Sequence, residues 1–168
     1  MRYNLGCGLD ILPGWVNVDG AEALRGRGVE VWDLEEMPWP FESGSADEIR
    51  AVDVFEHIEP KLRVGFITEC HRLLAPGAVL RMQTAYYTSI DAYTDPTHYG
   101  ALTEHSFDFW IPGTLHYAAK NPMYGGVAFL KERCELNPAT GQLDVILRKP
   151  LITGSHPRRD GATGALHA

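Results

Sequence analysis

The residues most able to do chemistry lie early in the chain. Tyr3-Asn4-Leu5-Gly6-Cys7-Gly8 ends a short apolar, β-prone run on a glycine pair. Glycines placed straight after a strand let the backbone turn sharply and let a ligand approach the main chain. On its own, the pair reads equally well as a tight turn. Asp19 closes a second apolar run, Trp15–Val18, at a point where a carboxylate can accept hydrogen bonds from both hydroxyls of a ribose. Asp19-Gly20 is also a good turn pair. Asp33-Leu34 closes a third run, Val29–Trp32, in the same way. Each strand end has a local explanation, but successive ends bearing glycines or aspartates on one edge of a sheet point to a ligand laid across that edge. The dinucleotide pattern G-x-G-x-x-G is not met, because Ile11 stands where its third glycine would be, and no Walker-type phosphate loop is present.

These residues need a sheet to position them. Strands are expected at Tyr3–Leu5, Val16–Val18, Val29–Trp32, Glu48–Val54 and Val79–Gln83. The strongest helix is Pro60–Leu74, in which Leu62, Phe66, Ile67, Cys70, Leu73 and Leu74 recur at three- and four-residue spacing and Pro60 suits a first turn. Ala75-Pro76-Gly77 reads as its stop signal, with a new strand directly after it. Strand, helix and strand in that order form a parallel unit with a right-handed crossover. The two runs Val127–Leu136 and Leu143–Lys149, separated by the turn-rich Asn137–Gln142, read as an antiparallel hairpin. The fold class expected is therefore α/β: an open, Rossmann-like, mostly parallel sheet with a C-terminal antiparallel hairpin. Gly6–Gly14 is shorter than the dozen or more residues that a parallel crossover usually takes, so the first two strands form either a shortened crossover or a hairpin with glycines in it. Residues 85–125, rich in Tyr, Pro, Thr and Gly with one helix expected to begin near Thr103, form a long irregular segment of the kind that often carries function. It leaves from the carboxyl end of a strand, where open α/β sheets bind ligands. A single domain is expected over 1–150, followed by a flexible tail over 151–168.

The chain has 168 residues, a formal net charge of −7 and 22% charged residues. Its paired basic residues, Arg25/Arg27, Arg148/Lys149 and Arg158/Arg159, are local and are not interleaved with aromatics, which disfavours a long nucleic-acid partner. No apolar run has the length of a membrane span, and the strand-like start does not resemble a signal peptide. Cys7, Cys70 and Cys134 are odd in number and far apart, which fits a reducing compartment, and a cytoplasmic location is expected. His57, His71, His98, His105 and His116 lack the i, i+4 pairing of a helical zinc site, so spacing predicts no metal.

Taken together, the motifs resemble those of a class I S-adenosylmethionine-dependent methyltransferase, of the small type 11-like family that begins N-L-G-C-G…G-W-x-N-x-D. Asn4-Leu5-Gly6-Cys7-Gly8, Gly14-Trp15-Val16-Asn17-Val18-Asp19 and Asp33-Leu34 match in order and spacing. Met37-Pro38-Trp39-Pro40-Phe41 is similar to the family's L-P-F-P, and Asp47-Glu48-Ile49 precedes Val54-Phe55-Glu56-His57 as expected. Glu69–Gly77 is similar to E-x-x-R-V-L-K-P-G-G. Asp95-Pro96-Thr97-His98, followed by Thr103 and Ser106-Phe107, is similar to D-P-T-H and F-T-x-x-S-F. The likeness covers about residues 3 to 110. The family often carries an acidic residue where Asn4 stands, a third glycine where Asp10 stands and a second glycine where Ala78 stands. In such proteins the first crossover is short, with little or no helix after the glycine loop; Leu9–Pro13 would make about one turn, giving a compact cradle rather than a hairpin.

The resemblance implies S-adenosylmethionine as cofactor, with Asn4, Leu5, Gly6, Cys7 and Gly8 forming the loop beneath its methionine part. Asp19 would hold the ribose, Asp33 and Leu34 would flank the adenine, and Asp53 would line the methyl-transfer site. An acceptor hydroxyl or amine must lose a proton, for which Asp53, His57 and His98 are the candidate bases. Glu56-His57 could equally shape the start of a helix, and Asp95 could cap a local turn. Tyr86, Tyr87, Tyr93, Tyr99 and Trp110 could wall a cation or form a small core beneath the long segment. The acceptor expected is a small molecule or sugar, enclosed by residues 85–125 or by a second copy of the chain in a homodimer. A non-catalytic cofactor-binding accessory protein, an enzyme using a nicotinamide, and a methyltransferase acting on protein or nucleic acid are the other readings.

Overall fold

A computed structural model describes residues 1–100 and 102–151; the expected tail, apart from Leu151, falls outside them. Seven strands, β1 Arg2–Leu5, β2 Val16–Asp19, β3 Val29–Val31, β4 Ala46–Val52, β5 Leu74–Ala85, β6 Leu130–Asn137 and β7 Gln142–Arg148, form one sheet in the order β3-β2-β1-β4-β5-β7-β6. The first five are parallel, while β7 runs antiparallel between β5 and β6. The helices are α1 Arg63–Leu73, α2 Asp91–Thr94 and α3 Leu115–Lys120. Among the described residues, no helix is long and apolar enough to cross a membrane.

Strand periodicity explains the layering. Along β4, Ile49 and Ala51 are buried while Glu48, Arg50 and Val52 are only half-buried; along β7, Leu143, Val145 and Leu147 alternate with Gln142, Asp144 and Ile146 in the same manner. Successive side chains point to opposite faces. The apolar face packs on Phe66, Ile67, Cys70 and Leu73 of α1 in one core. The other face is open: Arg50, Val52, Arg81, Gln83, Asp144 and Ile146 line a shallow groove across it.

Leu9–Pro13 carries no helix, in keeping with the short crossover expected, while other expectations require correction. The crossover is tied down by two buried amides. Asn4 Nδ2 donates to Asp10 O (2.8 Å), and Asn17 Nδ2 donates to Leu12 O (3.0 Å) while its Oδ1 accepts from Leu12 N–H (2.9 Å). Side-chain bonds thus do the work that a helix's backbone bonds usually do. Nor does a helix start near Thr103; residues 104–107 form turns that lead into a 3₁₀ turn, Asp108–Trp110. Strand β4 stops at Val52, two residues before the expected Val54, and β6 begins at Leu130 instead of Val127.

The stop signal Ala75-Pro76-Gly77 does end α1, but it lies inside β5. Its pairing with β4 slips there, from Ala46↔Leu74 to Glu48↔Val79, so the proline and glycine form an irregularity within the strand. No loop separates α1 from β5 because Lys149 occupies the junction. Its Nζ donates to His71 O (2.8 Å) and Leu74 O (2.7 Å), satisfying carbonyls that a helix end leaves free.

His71, against Phe129 and near that ammonium, has its pKa lowered from 6.5 to about 4, by burial first and by the Lys149 charge second. Because the folded value lies below the unfolded one, the contribution is intact above pH 6.5 and is lost as pH falls toward 4. Discounted for partial exposure, the expected loss by pH 5 is about 1 kcal/mol, or roughly 2–4 °C in melting temperature. Thermal denaturation of wild type and His71→Gln at pH 7 and pH 5 checks this. The variant should show a flatter dependence, and identical slopes would refute the assignment.

Candidate active site

Parallel pairing brings the carboxyl ends of β1, β2, β3 and β4 side by side. Gly6 and Gly8, just past β1, both take left-handed backbone, φ +60° and +49°. A Cβ on Gly6 would lie 2.3 Å from Val54 Cγ2, whereas a Cβ on Gly8 would meet nothing within 4 Å. Packing against the segment after β4 therefore demands the first glycine, and the second lies beneath open space. Asp19, at the end of β2, accepts from Gly8 N–H through Oδ2 and from Ala21 N–H through Oδ1, each at 2.8 Å. A carboxylate oxygen has two lone pairs, so each keeps one site for a ribose hydroxyl. Asp33 is exposed after β3, its Oδ1 accepting from Glu35 N–H at 2.9 Å, while the Leu34 side chain is buried. This cradle, open over Gly8 and flanked by two carboxylates, fits a nucleoside carrying a chain across the glycines.

Asn4, Leu5 and Cys7 sit differently. Asn4 is fully buried and engaged on every side: besides its bond to Asp10 it donates to Asn17 Oδ1 (3.0 Å) and accepts from Arg50 Nη1 (2.7 Å). With buried Leu5 it supports the loop from below. Cys7 is buried, and its thiol is pushed up by that burial and by the Asp19 charge, so it is no nucleophile.

The second half of the site follows β4. Asp53 takes φ +54°, the one positive-φ residue other than glycine among those described, and its N–H donates to Gln83 O at 2.9 Å. Its Oδ1 accepts from Gln142 Nε2 at 2.5 Å, and Gln142 arrives opposite Ala85 through the β5–β7 register. Crowding at the strand end raises the Asp53 pKa above the ordinary carboxylate value, and the nearby Glu56 charge adds to this. Val54 then packs beneath Gly6, joining the two halves of the site through adjacent residues.

Glu56 does not simply shape a helix start. It is 1% exposed and crosses to the end of β5, where Oε2 accepts from Thr84 Oγ1 (2.8 Å) and Oε1 from Ala85 N–H (2.9 Å). Its carbonyl accepts from Tyr99 N–H at 2.9 Å, and Arg63 Nη2 donates to Tyr99 O at the same distance. This clamp draws residues 95–99 onto the 3₁₀ turn Phe55–His57, placing the His57 and His98 rings 4.6 Å apart, edge to face. Asp95 does cap its turn, Oδ1 accepting from Thr97 N–H (2.8 Å) and Thr97 Oγ1 (2.6 Å). Asp53, His57, Asp91, Asp95, His98 and Gln142 line a cleft of about 540 Å³.

The structure thus groups Gly6, Gly8, Asp19 and Asp33 on one side and Asp53, His57 and His98 on the other. The aromatic set is not a wall to this cleft: Tyr86 and Trp110 are core residues, and Tyr87, Tyr93 and Tyr99 face outward. Local spacing does not mark Glu56 or Gln142 as site residues, because their positions depend on tertiary pairing.

Residues 4–82 match the family described as methyltransferase domain. Solved structures share the fold across most of the chain. A SAM-dependent methyltransferase from Archaeoglobus fulgidus aligns over 88% of this chain and 85% of its own, with TM-score 0.63 and 16% identity. A SAM-dependent methyltransferase from Methanosarcina mazei aligns over 89% and 92%, with TM-score 0.58 and 17% identity. The N-methyltransferase NodS from Bradyrhizobium japonicum, solved with S-adenosyl-L-homocysteine, aligns over 89% and 77%, with TM-score 0.56 and 16% identity. No curated protein matches the sequence.

Proposed function

Because residues 4–82 match a methyltransferase domain and the fold is shared with S-adenosylmethionine-dependent methyltransferases, we propose that this chain methylates a hydroxyl or amine of a small polar acceptor, such as a sugar, held in the cleft beside Asp53. The observation that carries this reading is the junction of Gly6 with Val54, which sets a left-handed carboxylate directly next to the glycine cradle. The cleft volume of about 540 Å³ lies in the range that small-molecule sites use, and its acidic and imidazole lining suits a polar group. Its acids, like the net charge of −7, favour a small acceptor over a polyanion.

When bound, the cofactor supplies an electrophilic methyl on a positively charged sulfur. Gly6 and Gly8 would let the main chain pass beneath it, and Asp19 would hold the ribose. Asp53 would take the proton from the acceptor, leaving its oxygen or nitrogen free to attack that methyl. A carboxylate whose pKa is raised by burial makes a stronger base, and in-line positioning supplies much of the acceleration. His57 and His98 orient the acceptor from the opposite wall. Transfer of radiolabelled methyl to a panel of sugars, amines and phenols tests the reading; labelling of protein or nucleic acid with none of the panel would overturn the acceptor class.

Replacing Asp19 with Ala should weaken S-adenosylmethionine binding by about 1–3 kcal/mol, roughly 5- to 150-fold, through loss of the ribose bonds and of the Gly8 anchor. Calorimetric titration checks this, and an unchanged affinity would remove Asp19 from the cradle.

A further inference from the structure

We infer that His57, Asp95 and His98 bind one divalent transition-metal ion, at a three-donor site whose remaining coordination positions face the cleft. One donor atom from each residue lies within 4.8 Å of the other two, and all three residues line the cleft. They come from two separate segments, which is why the helical spacing of metal motifs does not detect them.

The hydrogen bonds around the group prepare it for a cation. Thr97 Oγ1 donates to Asp95 Oδ1 at 2.6 Å, since an ionised carboxylate can only accept. The Thr97 hydroxyl proton being committed, its 2.9 Å contact with His57 Nδ1 must run the other way, with Nδ1–H donating to Oγ1. His57 is thereby held in the tautomer whose Nε2 carries a free lone pair. A metal-ligating histidine is typically set up this way, its other nitrogen donating to a fixed acceptor. Asp95 keeps Oδ2 free of the turn bonds that occupy Oδ1. His98 Nδ1 is enclosed and has no hydrogen-bond partner, an arrangement that costs free energy until something fills it. The Arg63–Tyr99–Glu56 clamp holds His98 beside His57, while Asp95 is exposed on a short loop and can close the remaining distance. Donors about 2.0–2.2 Å from a tetrahedral ion stand about 3.4 Å apart, so binding would contract the cluster.

Two imidazoles and one carboxylate suit zinc, iron or cobalt better than calcium or magnesium, which take all-oxygen shells. Asp53 and Asp91 on the same cleft add negative charge that favours a cation. If the acceptor reading above holds, the ion would bind the acceptor hydroxyl and lower its pKa, easing proton loss to Asp53.

The test is titration of chelator-stripped full-length protein with Co²⁺, read by its visible d–d absorption and by competition with Zn²⁺. One equivalent should bind, with affinity at least tenfold weaker in each of His57→Ala, Asp95→Ala and His98→Ala and unchanged in His116→Ala. Each variant's S-adenosylmethionine affinity, expected at the wild-type value, reports that the fold persists. Binding without a defined stoichiometry, or insensitive to the three substitutions, would overturn the site. Loss of cofactor binding in both stripped and loaded wild type would refute methyl transfer and leave the metal result standing.

Discussion

Gly6→Ala lowers S-adenosylmethionine affinity by more than 100-fold and reduces the melting temperature as well. Two independent costs combine. An L-residue at φ +60° is strained by about 1–2 kcal/mol relative to glycine. The new Cβ would also stand 2.3 Å from Val54 Cγ2, and Val54 is a stiff, β-branched side chain that is 7% exposed and cannot simply rotate away. Relief must come from moving the 53–55 segment or the glycine loop, and either movement separates the two halves of the site. The double variant Gly6→Ala/Val54→Ala isolates the second cost: it removes the collision and leaves the φ strain, so it should recover part of the lost affinity. Gly8→Ala, with nothing within 4 Å of its Cβ but left-handed backbone at φ +49°, should carry the φ strain without the collision and so lose less stability than Gly6→Ala. Calorimetry and thermal melts on these variants decide the matter. Wild-type affinity in Gly6→Ala would mean that the cofactor lies elsewhere.

Asp53→Asn cuts methyl transfer by roughly 10²–10⁴-fold, the usual contribution of a positioned base, while leaving cofactor affinity unchanged. Asparagine tolerates left-handed backbone and can still accept from Gln142 Nε2, so only the proton-accepting function is lost. Stability should move the opposite way. The folded pKa of Asp53 is raised, by burial first and Glu56 second, so its ionised form is disfavoured in the folded state once pH exceeds the unfolded value. The variant should therefore melt slightly higher than wild type at pH 7, the difference vanishing at acid pH. Wild-type turnover should rise with pH through the range where Asp53 ionises, and this limb should be missing from the variant's residual rate. Full activity in Asp53→Asn, measured with whichever acceptor the panel identifies, would exclude it as the base.

Much of the fold was legible because its signals are local. The β-prone runs at Tyr3–Leu5 and Val16–Val18, and the three- and four-residue spacing of Phe66, Ile67, Cys70 and Leu73, lead to strands and a helix that the structure contains. The order strand, helix, strand and hairpin then constrains the topology to a mostly parallel sheet. Glycines and aspartates at strand ends were visible for the same reason, since alignment of parallel strands places their carboxyl ends together. Residues whose neighbours come from distant sequence were not. Glu56 looked like a helix-start residue and is a buried strut to β5, while Gln142 looked like part of a turn and reaches Asp53. Asp95 and His98 are brought to His57 by Thr97, Tyr99 and Arg63, contacts that bridge about forty residues of sequence. The composition of residues 85–125 does not sort their aromatics: Trp110 donates to Tyr124 O in the core, while Tyr93 lies outside.

The hydrogen bond from Gln142 to Asp53 has a meaning for the order in which the protein is made. A ribosome releases the glycine loop, Asp19 and Asp33 first, and β4 soon afterwards. At 5–20 residues per second, the interval between Asp53 and Gln142 is on the order of ten seconds. Until β7 inserts between β5 and β6, Asp53 has no Gln142 beside it and the far wall of its cleft is missing. The residues proposed to hold the nucleoside are thus made early, and the wall of the proposed acceptor cleft is made last.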